Sequence, residues 1–501
     1  MVVNYACDTS LHFTSLHFAI NLFFEIFSIS TSMLCLLYKY FSKVYYFYIN
    51  ISKNLNKKEI KMELHIGNFY VKDIKFGDRT KFENSTLTIN KEEALNIVKE
   101  DKHITEADII IVKPGDMVRI VPVKEAVEPR CRVDGKTIFP GVLGPMYRAG
   151  DGIMHALKNC SVLAVGKHYG GFQDGLIDMG GDGAKYTYYS TLINVCLVAD
   201  TDEEFERHEQ QKKNKALRWA GMRLAEYLGN VVKELKPEET ETYTLQSLTD
   251  SSRNGNLPKV ALVLQAQSQM ENDGYNDLVY GWDTNRMLPT LMHPNEILGG
   301  AVISGSFMPC SSKWSTYDFQ NFPMIKKLMS EHGKTINFLG VIFSNLNVAL
   351  EQKERAALFV AQIANNIGAD AAIVAEEGYG NPDADFIACI VALEDAKVKT
   401  VGLTNECTGR DGASQPLVTL DEKADAIVSC GNVSDMIELP PMPTVIGELE
   451  SLARDGLSGG WSNDAILGPS VRKDGSIIME NNAMFCGDMV VGWSTKTMAE
   501  F

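Results

Sequence analysis

The sequence predicts an α/β protein, with a mixed α+β N-terminal domain followed by a mainly parallel, doubly wound α/β domain. Three observations carry this. From Lys259 onward, wholly apolar runs such as Val260–Leu264 and Ala371–Ala375 alternate with helical patterns, the mark of strands buried on both faces. Between Met62 and Arg132 the apolar runs are short and broken by turns and charged patches, the pattern of half-buried strands. Leu235–Pro258, with Pro237 and many Glu, Thr and Ser, reads as a linker, so the expected divisions are 62–257 and 258–501.

Within the first division, Glu63–Ile74 reads as strand, turn, strand, and Thr86–Ile89 as a further strand. Lys91–Lys99 is a short helix opened by Asn90 as N-cap. Ala107–Val112 and Met117–Val121 are strands around the Pro114-Gly115 turn, and Ser161–Gly166 is a buried strand. Lys167–Gly175 and Asp178–Gly183 interleave glycines with His168, Tyr169 and Asp174. Their backbone can approach a ligand closely; the alternative is a run of tight turns. Asp200–Leu235 reads as one long helix, acidic at its start and basic later, matching its dipole.

In the second division, Val260–Leu264, Thr335–Ile342, Ala371–Ala375, Lys399–Thr404 and Ala426–Cys430 are the strands. Lys353–Ile367, closed by Gly368, and Ala384–Lys397 are the helices. Ligands in such sheets sit beyond the carboxyl ends of the strands, so the loops Ala375–Asp383 and Thr404–Gly412 are expected at the site. The second holds Glu406, Cys407, Arg410 and Asp411 in one turn. Gly305–Trp314 places Cys310 among Ser311, Ser312 and Lys313; on local sequence alone, a plain buried cysteine is the simpler account.

Composition narrows the function classes. A chain of 501 residues with 45% hydrophobic residues can bury more than one core. A net charge of −16 argues against a nucleic-acid or anionic-membrane surface. Ten cysteines occur with no CxxC pair and no Cys/His cluster, so no metal site or disulfide framework is indicated, and reduced cytoplasmic thiols are expected. No strand-GxGxxG-helix pattern points to a dinucleotide.

Residues 1–61 differ from the rest, being crowded with Phe, Tyr, Ile, Leu, Ser and Asn. Leu16–Tyr38 is long enough for a signal anchor, although Glu25 and the lack of a basic start weaken a signal peptide. The composition is also what AT-rich non-coding DNA yields on translation, and Lys58-Glu59 can be encoded as AAG-GAG at ribosome-binding distance from Met62. Met62 is therefore the expected start, with 1–61 a mis-called upstream translation.

Taken together, Lys167–Gly175, Phe307–Trp314 and Thr404–Gly412 make 62–501 resemble the component B proprotein (alpha/beta) subunit of the clostridial glycine, sarcosine and betaine reductases. The betaine or sarcosine branch is nearer, betaine first. The resemblance implies an oxidoreductase subunit that binds an N-substituted glycine and activates its C–N bond for reductive deamination to acetyl phosphate, active only with partner proteins. The implied partners are a selenocysteine-containing larger subunit of component B, selenoprotein A and, by way of selenoprotein A, component C. The implied cofactor is a pyruvoyl group made from an internal cysteine. The thiol attacks the preceding peptide carbonyl, the thioester eliminates, and hydrolysis of the dehydroalanine leaves a ketone, an electron sink.

The family's cut falls a little past the middle, which favours Cys310 as precursor, with Cys407 second. Ser311 and Ser312 are proton-transfer partners, and Glu406 is a further catalytic candidate. His168, Tyr169, Lys313, Trp314, Arg410 and Asp411 are the substrate-binding candidates, Lys313 or Arg410 for the carboxylate. Tyr275, Tyr280, Trp282, Trp314, Tyr317 and Phe319 are rings that suit a quaternary ammonium. Betaine's nitrogen carries no hydrogen, however, and forms no imine with a ketone. Two rivals remain: an anchored two-domain ligand-binding module, and an uncut scaffold that docks the selenoprotein.

Overall fold

Two large sheets organise the molecule in a computed structural model. It describes residues 62–167, 174–202, 210–248, 254–270, 275–449, 470–488 and 490–493, with backbone only for 210–213. The stretch 1–61, with its anchor-or-artefact question, and the pair His168 and Tyr169 lie outside the described residues. Residues 62–501 make one unit.

The first sheet is built from Ile104–Val112 (β1), Val118–Val127 (β2), Cys160–Gly166 (β3), Gly175–Asp178 (β4) and Ile193–Thr201 (β5) in the order β4-β2-β3-β5-β1. Strand β2 is buried along nearly its whole length, although its sequence includes Lys124 and Glu125. Thr444–Gly447, far along the chain, adds to β2 in parallel and extends this sheet. A smaller sheet joins Glu239–Thr244, Glu63–Tyr70, Gly152–Lys158 and Arg130–Arg132.

One local expectation holds and two change. Lys91–Val98 (α1) starts where predicted, with the Asn90 side chain accepting from the N–H groups of Glu92 and Glu93. Asp200-Thr201, read as a helix start, instead ends β5; the described helix is Gln210–Gly229 (α2). It closes where a Cβ on Gly229 would lie 2.1 Å from the Arg130 carbonyl oxygen. The expected linker also holds a strand, because Glu239–Thr244 pairs antiparallel with Glu63–Asn68. Its alternating Glu and Thr suit an exposed edge, which is why it passed for loop.

The second sheet runs β7-β8-β6-β9-β10-β11, from Lys259–Ala266 (β6), Thr290–Met292 (β7), Asn337–Asn345 (β8), Ala371–Glu376 (β9), Lys399–Glu406 (β10) and Ile427–Asn432 (β11). All pairings are parallel except edge strand β7, which runs against β8. Its residues alternate between two cores. Ala261, Val263 and Val374 pack with Leu350–Asn366 (α4) and Asp383–Asp395 (α5); Thr316–Asn321 (α3) precedes both in the chain. Leu262, Leu264 and Ala375 face the core that also holds Trp314, Phe319 and Phe322. Coverage of both faces is what the continuous apolar runs require. Among the described residues no helix is long and apolar enough to cross a membrane.

Candidate functional site

The loop after Val302–Ile303 is pinned by backbone contacts that leave no room for a side chain at Gly305. The Gly305 N–H donates to Asp277 Oδ1 at 2.5 Å, and a Cβ there would meet the Tyr275 carbonyl oxygen at 2.4 Å. The N–H groups of Ser306 and Phe307 both donate to that same Tyr275 oxygen, at 2.7 and 3.0 Å.

Cys310 is fully buried. Its Sγ donates to the Asn482 carbonyl at 3.0 Å, and its own carbonyl accepts from the Cys486 N–H at 2.7 Å. Burial first, and Asp174 next, push the thiol well above its ordinary range, so it is held as the protonated S–H. The Pro309 carbonyl oxygen, on the bond preceding Cys310, accepts from both the N–H (3.2 Å) and the Oγ (3.4 Å) of Ser312. Ser311 is held differently, its Oγ donating to Asn482 Oδ1 at 3.3 Å.

Lys313 is buried beside the cysteine, donating to the Lys124 carbonyl at 2.8 Å with Glu125 Oε2 4.0 Å away. Lys124 itself is ion-paired with Asp174, which directly follows the glycine-rich loop. The Trp314 N–H donates to Glu377 Oε1 at 2.9 Å, and Ser315 caps α3 against Asp318. Asp318 is buried, which raises its carboxyl to about 7. Asp277 and Glu377 are close enough to act on each other, and burial raises both carboxyls, Asp277 well above its ordinary range and Glu377 to about 7.

The loop after β10 lies next door. Cys407 is half-buried, its Sγ 3.6 Å from Ser434 Oγ, and Glu406 Oε1 accepts from Ser429 Oγ at 2.9 Å. Arg410 Nε donates to Glu480 Oε1 at 2.8 Å, while the exposed Asp411 accepts from the Ala413 N–H within its own turn. Tyr379 lies between the two loops, near Asn482, Cys407, Glu480 and Cys310. Cys310, Ser311, Lys313 and Trp314 therefore share one buried centre, with Glu406, Cys407 and Arg410 on its flank.

The six rings do not form one cage. Trp314 packs on Phe319 and Phe322, and Tyr317 on Tyr188 and Tyr189. Tyr280 bonds Glu296, Trp282 is 64% exposed, and Tyr275 pairs with Phe307. Residues the sequence reading passed over are Lys124, Glu125, Asp277, Asn482 and Cys486. Two adjacent charges inside the apolar run of β2 were the available sign for the first two. No group of three or more metal-ligating side chains occurs among the described residues.

A family model described as glycine/sarcosine/betaine reductase component B subunits matches residues 62–499. The chain is 72% identical, over 442 residues, to the betaine reductase complex component B subunit alpha of Peptoclostridium acidaminophilum, covering 88% of this chain and all of that protein. It is 40% identical to the glycine reductase complex component B subunits alpha and beta of Acetoanaerobium sticklandii, over 87% of this chain and 99% of the relative. It is 36% identical to the sarcosine reductase complex component B subunit alpha of P. acidaminophilum, again over 87% and 99%. No solved structure matches it significantly. The chain belongs to the glycine/sarcosine/betaine reductase component B subunits, and so to an oxidoreductase that works as a complex.

Proposed function

We propose that this chain is the substrate-binding component B subunit of a betaine reductase. The observation that carries the choice is the 72% identity across the whole betaine relative, against 40% and 36% for the glycine and sarcosine relatives. The partners are a selenocysteine-containing larger subunit of component B, selenoprotein A and, through it, component C; the complex is cytoplasmic. Amine release by the reconstituted complex tests this. Trimethylamine from betaine is expected, with methylamine from sarcosine and ammonia from glycine at least about a hundredfold slower. Faster methylamine or ammonia release would overturn the betaine assignment.

Cys310 is assigned as the residue that is cut to a pyruvoyl group. The thiol and the Pro309 carbonyl are neighbours in the chain, and Ser312 donates twice to that carbonyl, the arrangement that stabilises an oxyanion when sulfur adds. Protonation of the thiol by burial makes Asp174 and Asp488, both close enough to influence it, the candidate proton acceptors. A pyruvoyl group supplies an electron-withdrawing carbonyl. Lys313 and Trp314 beside it, and Arg410 on the flank, are assigned to hold the substrate. Denaturing electrophoresis checks the assignment: two fragments divided at Cys310, the second blocked at its N-terminus, are expected.

A second reading, an uncut chain, has its own support. The betaine and sarcosine relatives are each named as a single subunit alpha, whereas the glycine relative is named as alpha and beta together. Betaine also lacks the N–H that an imine requires. One intact chain in active enzyme would select this reading.

A further inference from the structure

Glu377 is the meeting point of several groups whose polar capacity is unused. Its two carboxylate oxygens take backbone N–H groups from Trp314 (2.9 Å) and Gln267 (2.8 Å), and the nearby Asp277 has a buried Oδ2 with no hydrogen-bond partner among the described residues. The Gln267 carbonyl in turn accepts from the Asp277 N–H at 3.1 Å, so its backbone is fixed to both acidic residues. Asn405 lies on β10 next to Thr404, whose Oγ1 donates to Glu376 Oε2 at 2.9 Å, so β9 and β10 run side by side at Glu377.

All three neighbours carry buried polar atoms with no hydrogen-bond partner among the described residues: both amide atoms of Gln267, both of Asn405 and the Trp314 indole nitrogen. Each of these residues is no more than 1% exposed. Buried amides are rarely left unmet, because desolvation is then uncompensated. The charges are also unbalanced. Lys124 is matched by Asp174, while Lys313 lies near both Glu125 and the Asp277–Glu377 pair. At the edge of this group the Tyr275 and Phe307 rings pair at 6.1 Å, each two residues from a member of the Asp277–Gly305 hydrogen bond.

We propose that the carboxyl ends of β6, β9 and β10 bind a zwitterion, with Asp277–Glu377 facing its cationic nitrogen and Gln267, Asn405 and Trp314 Nε1 donating to its carboxylate. The proposal rests on the substrate reading above and names the site that reading needs. Tyr275 and Phe307 offer aromatic faces to N-methyl groups. Trp314 and Gly305 are the two ends of the loop that carries Cys310, so the bond between nitrogen and methylene carbon is presented along that loop.

Three ligands separate the two ends in titration calorimetry on the full chain: betaine, its carbon isostere 3,3-dimethylbutyrate, which keeps the carboxylate without the cation, and choline, which keeps the cation without the carboxylate. Wild type is expected to prefer betaine over dimethylbutyrate. Glu377→Gln is expected to cut that preference by about tenfold or more while leaving dimethylbutyrate within about twofold. Asn405→Leu and Gln267→Leu are expected to weaken betaine and dimethylbutyrate alike, by about tenfold, and to leave choline unchanged. Asp277→Asn serves in place of any Glu377→Gln protein that melts far below wild type. Wild-type-like binding of all three ligands by these variants would overturn the proposal, even with trimethylamine release intact. If wild type ignores betaine and binds sarcosine, the substrate reading fails, and the same contrast is read with sarcosine against butyrate. Binding of neither amino acid would overturn the site.

Discussion

Cys310 and Cys407 each sit in a glycine-bearing loop that follows a strand, and both loops reach Tyr379, yet they are held by different means. The Cys310 loop is tied to distant parts of the chain: Asp277, Lys124, Glu377, Asn482 and Cys486. The Cys407 loop is tied instead to the Asn432–Ser434 turn and, through Arg410, to the partly exposed Glu480, with Asp411 in solvent. In sequence the second loop is the richer in chemical groups. Burial and convergence give the first its standing, since a group acts strongly where water is excluded and neighbours are fixed.

Glycine substitutions probe this contrast most sharply. Gly305→Ala drives a Cβ into three backbone atoms at 2.4–2.7 Å, with no flexible side chain to yield. A loss of about 3 kcal/mol or more of stability is expected, with amine release lost, measured by denaturant unfolding and assay. Gly412→Ala meets nothing within 4 Å and pays only for its φ of +67°, so about 1 kcal/mol is expected there. Equal costs at the two positions would break the comparison.

Proton linkage gives the next effect. Glu377 stands at about 7 in the folded protein, against an ordinary value near 4.5, because it is buried. Between those values the folded state binds more protons at Glu377 than the unfolded one, so the stability Glu377 contributes falls as pH rises through this window and is lost above about 7. Glu377→Gln is expected to flatten the fall by an amount on the order of 3 kcal/mol across pH 4–7, read from melts at stepped pH. An unchanged pH profile would show that Glu377 does not titrate there. The smallest effect belongs to Arg410→Ala: its partly exposed pair with Glu480 is expected to cost about 0.5 kcal/mol, and less at high salt.

The parallel sheet was legible because buried strands are continuous apolar runs, and Val260–Leu264 and Ala371–Ala375 fall inside β6 and β9. The carboxyl-end rule also led to the Glu377 and Glu406 loops. What stayed hidden depends on long-range pairing. Lys124 and Glu125 lie in a strand whose apolar neighbours masked them, and Asn482 and Cys486 reach Cys310 from more than 170 positions away. Cys486 also adopts φ +51°, a left-handed conformation no pattern of residues announced. Asp277 follows a short irregular stretch, and only the fold places its carboxyl against Glu377. The start of α2 and the edge strand Glu239–Thr244 were misread because charge and alternation there fit two local structures equally well.

We propose that the buried Cys310 loop, not the more exposed Cys407 loop, is where the substrate's C–N bond is broken. Trimethylamine release from betaine by the reconstituted complex, with Cys310→Ala and Cys407→Ala measured side by side, tests it most directly. The account predicts loss of about a thousandfold or more for Cys310→Ala and a rate within a few fold of wild type for Cys407→Ala. A Cys310→Ala protein that releases trimethylamine at the wild-type rate would contradict it.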